Sequence, residues 1–348
     1  MDRQNNFDAL RLVAATSVIF SHAFLLAENS QDHDPLMLLT GGQTILGLAG
    51  VFMFFTISGF LVTQSFDNTR SPLVFLVKRG LRIFPGLVAC LLVCAFAVGP
   101  LVTSLELPEY FGRGEPYAFV LRNSLLNIEY NRLPGVEFWP GNIGGIVNGP
   151  LWSLPCEALM YLMLCGIGVC GWLILGVAML LAGVGVVGLW VSATDLLGGF
   201  FWLLAPFATG MCCYRLRDHP GFWRPRWVLL ALLGLVLSIP AKLFLIAFAV
   251  FGGYLTIWLA LTPRLRPLPA ARYGDLSYGL YIYGWPVEQC VVYLSRGQAP
   301  WWVVFGIALP VTAAIAFLSW HLVERRCRWR GRRTPRLPRA VADPVTSG

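Results

Sequence analysis

Residues 7–26 read FDALRLVAATSVIFSHAFLL, a twenty-residue stretch that is apolar except for Asp8, Arg11, His22 and a few small hydroxyl side chains. As a helix it is long enough to cross a hydrocarbon core of about 30 Å. Arg11 and His22 are eleven residues apart, and eleven steps of about 100° bring both side chains back to one helix face. Ionisable groups inside such a helix are costly, so by default they mark a pathway or a reactive site. A cleavable leader would not carry these charges in its apolar core, so this segment is expected to persist as a helix.

The same pattern recurs along the whole chain. Of 348 residues, 57% are hydrophobic and 13% charged, against about 25% charged in ordinary soluble domains. Ten apolar runs lie at about 8–27, 43–65, 73–98, 148–169, 171–191, 197–214, 226–241, 243–261, 275–294 and 300–322. The seventh is the shortest and ends at Pro240. None alternates with period two, which removes a membrane barrel. The expected fold is all-α, a polytopic membrane protein of about ten transmembrane helices. Residues 1–326 form the membrane domain, and 327–348 form a basic, Pro-containing tail suited to anionic lipid.

The net charge of +8 follows the loops and is not a nucleic-acid signal. With the N-terminus inside, Arg70, Lys78, Arg79, Arg82, Arg215 and Arg217 all fall inside, as does the basic tail. Only Arg113, Arg122, Arg132, Lys242 and Arg296 fall outside. The positive-inside rule then puts both termini in the cytoplasm. Eight of the nine cysteines lie in apolar runs and no CxxC occurs, so they read as packing residues. His33, His219 and His321 lie in loops or at membrane edges, no histidine pair has metal spacing, and P-loop, GxGxxG and GxSxG elements are absent.

Three further features bear on chemistry. If the first helix begins near Asp8, His22 lies about 21 Å along it. Glu157, in GPLWSLPCEALMY, lies roughly 10 Å below the outer end of the fourth helix, so the two are expected to meet. Such a pair makes a base for a hydroxyl proton, or else a plain interhelical hydrogen bond. Arg79 and Arg82, in VKRGLRIFPG, share a face at the inner edge. They suit phosphate oxygens, or they anchor the topology. The outer segment 99–147, rich in Gly, Pro and aromatics, is either a lid over an external cleft or a re-entrant interfacial segment. Pro85 and Pro286 are expected to kink their helices, Pro286 freeing carbonyls near Glu288, and Ser58–Gly59 permits close packing.

Taken in order, FDALRLVAATSVIFSHAF, GVFMFFTISGFLV, KRGLRIFPG, NGPLWSLPCEALMY, DLSYGLYIYGWPV and WHLVERR resemble the acyltransferase-3 family of integral membrane acyltransferases over nearly the whole chain. The resemblance implies ten core helices in the bacterial cytoplasmic membrane. It also implies transfer of an acyl group, commonly acetyl, from cytoplasmic acyl-CoA to a hydroxyl of an extracytoplasmic glycan. Acyl-CoA is then a donor substrate and no cofactor is held tightly. By the same resemblance His22 is the essential histidine, Arg11 its basic partner, Arg79 and Arg82 the donor-binding pair, and Glu157 the acidic position of the LWSL-x-x-E segment. The chain departs from some relatives at Gly284, where they carry His, and at Arg325, where many carry Pro. A transporter or flippase for a lipid-linked glycan is the rival reading, weakened by the lack of repeat symmetry.

Overall fold

A computed structural model describes residues 5–69, 71–128, 130–139, 143–171, 175–189, 196–262 and 274–328. Arg3, Arg70, the arginines of 263–273 and the tail beyond 328 lie outside them. The chain is all-helical. Each apolar run becomes a helix: α1 (Phe7–Glu28), α2 (Leu46–Asp67), α3 (Pro72–Val102), α4 (Ser153–Val169), α5 (Leu175–Gly188), α6 (Leu196–Leu216), α7 (Pro225–Ser238), α8 (Phe244–Leu261), α9 (Ser277–Leu294) and α10 (Trp301–Cys327). Among the described residues seven helices are long and apolar enough to cross a membrane: α1, α2, α3, α4 together with the 3-10 turn that leads into it (Gly149–Val169), α6, α8 and α10. The ten expected crossings are thus not all matched by length and composition. α5 and α7 have 14 residues each. α9 is long enough, but its tyrosines, Glu288 and Gln289 lower its hydropathy. It is enclosed by neighbours, with most of its residues buried, so it needs no apolar outer face.

Helix starts follow local chemistry. Ser71 caps α3 by accepting from the Val74 N–H, with Pro72 in the first turn. Asp34 does more than cap one turn. Its fully buried carboxylate accepts from the backbone N–H groups of Leu36 (2.9 Å) and Leu46 (3.0 Å) and from the Ser21 hydroxyl. The Ser21 oxygen in turn accepts from the Gly47 N–H at 2.6 Å. One carboxylate therefore ties the far end of α1, next to His22, to the start of α2.

Packing between helices uses small residues, as expected where lipid offers no hydrophobic contrast. A Cβ on Gly59 would overlap the Phe207 carbonyl, and one on Gly210 would overlap the Thr56 carbonyl, so α2 and α6 cross backbone to backbone. Gly210→Leu is expected to prevent this crossing. The checking measurement is the fraction of monodisperse protein recovered in detergent, which should fall at least severalfold against wild type, since overpacking with no room to relax costs several kcal/mol.

Candidate functional site

α1 and α9 run parallel, in register at both ends. Near their starts Arg11 lies 3.8 Å from Asp275, which precedes α9; near their far ends His22 lies 3.9 Å from Glu288. Two polar centres result, about 16 Å apart along α1.

The first centre is a narrow cavity of about 80 Å³, room for several waters. It is lined by Arg11, Arg79 and Arg82, by Ser58, Glu157 and Tyr161, and by the rings of Phe54 and Tyr281. The two arginines of α3 are not equivalent. Arg82 donates to Asp275 at 2.8 Å, lies 3.9 Å from Glu324 and sits over the Tyr278 ring. Arg79 meets only the Ser65 hydroxyl at 3.4 Å and the faces of Phe75 and Tyr161; among the described residues no carboxylate neutralises it. It is the guanidinium left open to an incoming anion. A second polar hollow, walled by Lys78, Arg79, Arg82, Glu324 and Arg328, opens beside it. The carboxylate of Glu324 is aimed inward by a π-turn over Trp320–Glu324 at the end of α10 and accepts from Ser319.

The second centre is drier. Glu288 is 0% exposed, and neither carboxylate oxygen has a hydrogen-bond partner. His22 Nδ1 is buried, unpartnered and turned toward Glu288. The Trp285 ring meets the imidazole edge-on, centroids 4.9 Å apart. Trp285 is itself fixed by donating to the Ile146 carbonyl at 3.0 Å, which also accepts from Gln289.

Glu157 and His22 are not brought together. Glu157 accepts from Tyr161 and Ser58 inside the first centre. The expectation placed the start of α4 at the membrane surface, but the chain dips inward before the helix begins. Asn148 donates to the Ile282 carbonyl at 2.8 Å, Gly149 lies against Trp285, and Ser153 hydrogen-bonds Tyr281 at 2.7 Å. α4 therefore starts at the depth of the middle of α9, and Glu157 sits a turn deeper still. The Ile282 carbonyl is available because Pro286 has no N–H to give it; Asn148 and Cys90 take that place. Within the outer segment, Trp139, Ile143 and Ile146 pack over the far end of α1, joining Ala23, Leu26 and Trp285 in one apolar cluster, while Tyr110, Phe119 and Leu133 pack with Cys90, Cys94 and Ala95 of α3.

Comparison with known proteins accounts for this assembly. The family profile described as "Acyltransferase domain" (acyltransferase-3) matches residues 4–321. The chain belongs to the acyltransferase-3 family. It is similar to the "O-acetyl transferase" of Shigella phage Sf6, 27% identical across 94% of this chain and 96% of the relative. It is also similar to "Nodulation protein 10" of Rhizobium leguminosarum bv. viciae, 31% identical across 92% of each. No solved structure gives a significant match. The chain is thus a multi-pass membrane O-acyltransferase.

In this acyltransferase the arginines expected to act together do share a cavity, while the histidine stands apart from it. Asp275, Glu324 and Glu288 were not singled out as site residues by the sequence reading, although Asp275 and Glu324 lie within motifs quoted for the family and Glu288 directly follows one. Asp275 and Glu324 sit at helix ends, where a charge looks solvated. Glu288 carried a stronger signal, being a carboxylate within the ninth apolar run, two residues after a proline that opens the backbone.

Proposed function

We propose that the enzyme moves an acyl group, commonly acetyl in the family, from acyl-CoA on the cytoplasmic side to a hydroxyl of a glycan on the outer side of the bacterial cytoplasmic membrane. The observation that carries this reading is one bundle that clusters Arg11, Arg79 and Arg82 around a cavity and holds a largely enclosed imidazole, His22, about 16 Å beyond Arg11 along α1. On this reading Arg79, with Lys78 beside it, meets the CoA phosphates. Arg82 and Arg11 line the mouth and are held there by Asp275. The pantetheine arm threads the cavity past Ser58, Glu157 and Tyr281 toward His22.

His22 takes the proton of the acceptor hydroxyl as the oxygen attacks the thioester carbonyl. The new C–O bond forms, the C–S bond breaks, and the proton passes on to the departing thiolate. Prior acyl transfer to His22 itself is the variant mechanism. Glu157 serves the cavity wall and the passing arm. The segment around Ile146 forms the acceptor-side cover.

The test uses purified protein in liposomes, acyl-labelled acyl-CoA on one side and envelope glycan on the other. Label appearing on the glycan, with free CoA released in equal amount, is the expected result. Movement of lipid-linked glycan with no label transferred would overturn the reading in favour of a flippase. In cells, mass spectrometry of surface glycans with and without the protein should differ by the mass of one acyl group per modified sugar.

A further inference from the structure

The carboxylate of Glu288 has no structural occupation. It is 0% exposed, accepts no hydrogen bond, and lies in the middle of a helix whose other buried polar side chains are engaged: Tyr278 with the Ile83 carbonyl, Tyr281 with Ser153, and Gln289 with Ile146. Burying a carboxylate without partners costs several kcal/mol, and a leucine there would pack without that cost. Its one polar neighbour of consequence is His22 Nδ1, at 3.9 Å from Oε2 and equally unpartnered. The parallel registration of α1 and α9 and the edge of Trp285 hold the ring so that Nδ1 faces the carboxylate. The imidazole side chain is 17% exposed, while Nδ1 itself is buried.

We propose that Glu288 is the positioning residue of the transfer centre, closing on His22 Nδ1 when acceptor and thioester are in place and leaving Nε2 as the base. A shift of about 1 Å, small against an ordinary side-chain rearrangement, brings the pair to hydrogen-bond distance. An Nδ1–H held by the carboxylate fixes the tautomer whose free Nε2 accepts the hydroxyl proton. As the hydroxyl oxygen bonds to the acyl carbon, a Glu288 carboxyl oxygen accepts the Nδ1–H of the imidazolium that forms, a charge-assisted hydrogen bond in a dry site. The proton on Nε2 goes to the leaving CoA sulfur, and Glu288 keeps its own state through the cycle. No other acidic or basic side chain among the described residues forms an ion pair with His22. Glu157, the acidic residue of the family motif, is committed to Ser58 and Tyr161.

The inference rests on the reading of His22 as the transfer centre, and the experiment separates the two. In the liposome assay, Glu288→Gln and Glu288→Leu are expected to lower kcat by about 100-fold or more, with KM for acetyl-CoA within about twofold of wild type. Glu288→Asp should recover part of the loss. The thermal midpoint of the Leu variant should equal or exceed that of wild type, because a carboxylate without partners has been removed. If Gln and Leu variants keep full kcat while His22→Ala is inactive, the positioning role is overturned and His22 stands. Loss of kcat that tracks a fall in thermal midpoint, with Asp no better than Leu, would also overturn it as a structural effect. If His22→Ala itself retains transfer, the underlying reading falls first.

Discussion

His22→Ala is expected to lower acyl transfer to the glycan by about 10²–10⁴-fold, the range of a removed general base. The protein should still fold: the imidazole makes no hydrogen bond through Nδ1, and its loss leaves a small gap beside Trp285. The more discriminating measurement is donor binding. His22 does not line the cavity that holds Arg11, Arg79 and Arg82, so affinity for acetyl-CoA should remain within about twofold of wild type by calorimetry in detergent. Arg79→Ala should behave oppositely, losing acetyl-CoA affinity by at least tenfold, since a charge-assisted contact contributes about 1.5–3 kcal/mol. A His22→Ala protein that acylates glycan at the wild-type rate removes the centre of the mechanism.

Asp275→Ala is expected to be the most damaging single change at the basic end. Asp275 lies 2.8 Å from Arg82 and 3.8 Å from Arg11, and it also accepts from Ser277. Without it, two enclosed guanidinium groups retain only distant carboxylates, Glu324 and Asp8, each at 3.9 Å. Removing one partner of a buried ion pair costs about 3–5 kcal/mol because the remaining charge is stranded. A pronounced drop in thermal midpoint, together with loss of acetyl-CoA binding, is the outcome to measure. Adding Arg82→Met in the Asp275→Ala background should return some of the stability and none of the binding. If Asp275→Ala melts with wild type, the network is not what holds α1, α3 and α9 together there.

Much of the fold was legible because membrane helices announce themselves through composition. The ten runs all became helices, and Gly59 proved to be a point of backbone contact as its neighbourhood suggested. The seven-helix count by hydropathy shows where the signal ends: an enclosed helix such as α9 can trade apolar residues for tyrosines and a carboxylate, and composition then understates it. Depth was the weaker inference. Within α1 the eleven-residue spacing sets Arg11 against Asp275 and His22 against Glu288, at two separate levels of α9. Counting rise from an assumed surface failed for α4, because residues 146–152 already lie inside the bundle, as non-helical chain and then a 3-10 turn (Gly149–Trp152), before the α-helix starts. The pairing of His22 with Glu288 needed the parallel alignment of two helices more than 260 residues apart in sequence, which no local pattern encodes.

The aromatic lining of the inner cavity bears on the path proposed for the acyl group. Phe54 and Tyr281 meet edge-on, ring centroids 5.7 Å apart, about a turn of α9 short of Trp285. Both rings line the cavity that holds the arginines, whereas His22 does not, so on the proposed path the thioester arm passes this ring pair. A flexible thioester arm can push these rings aside for a moment, whereas a hydrated ion would have to shed its water to follow. On the proposed mechanism, this ring pair would let an acyl group pass while hindering hydrated ions.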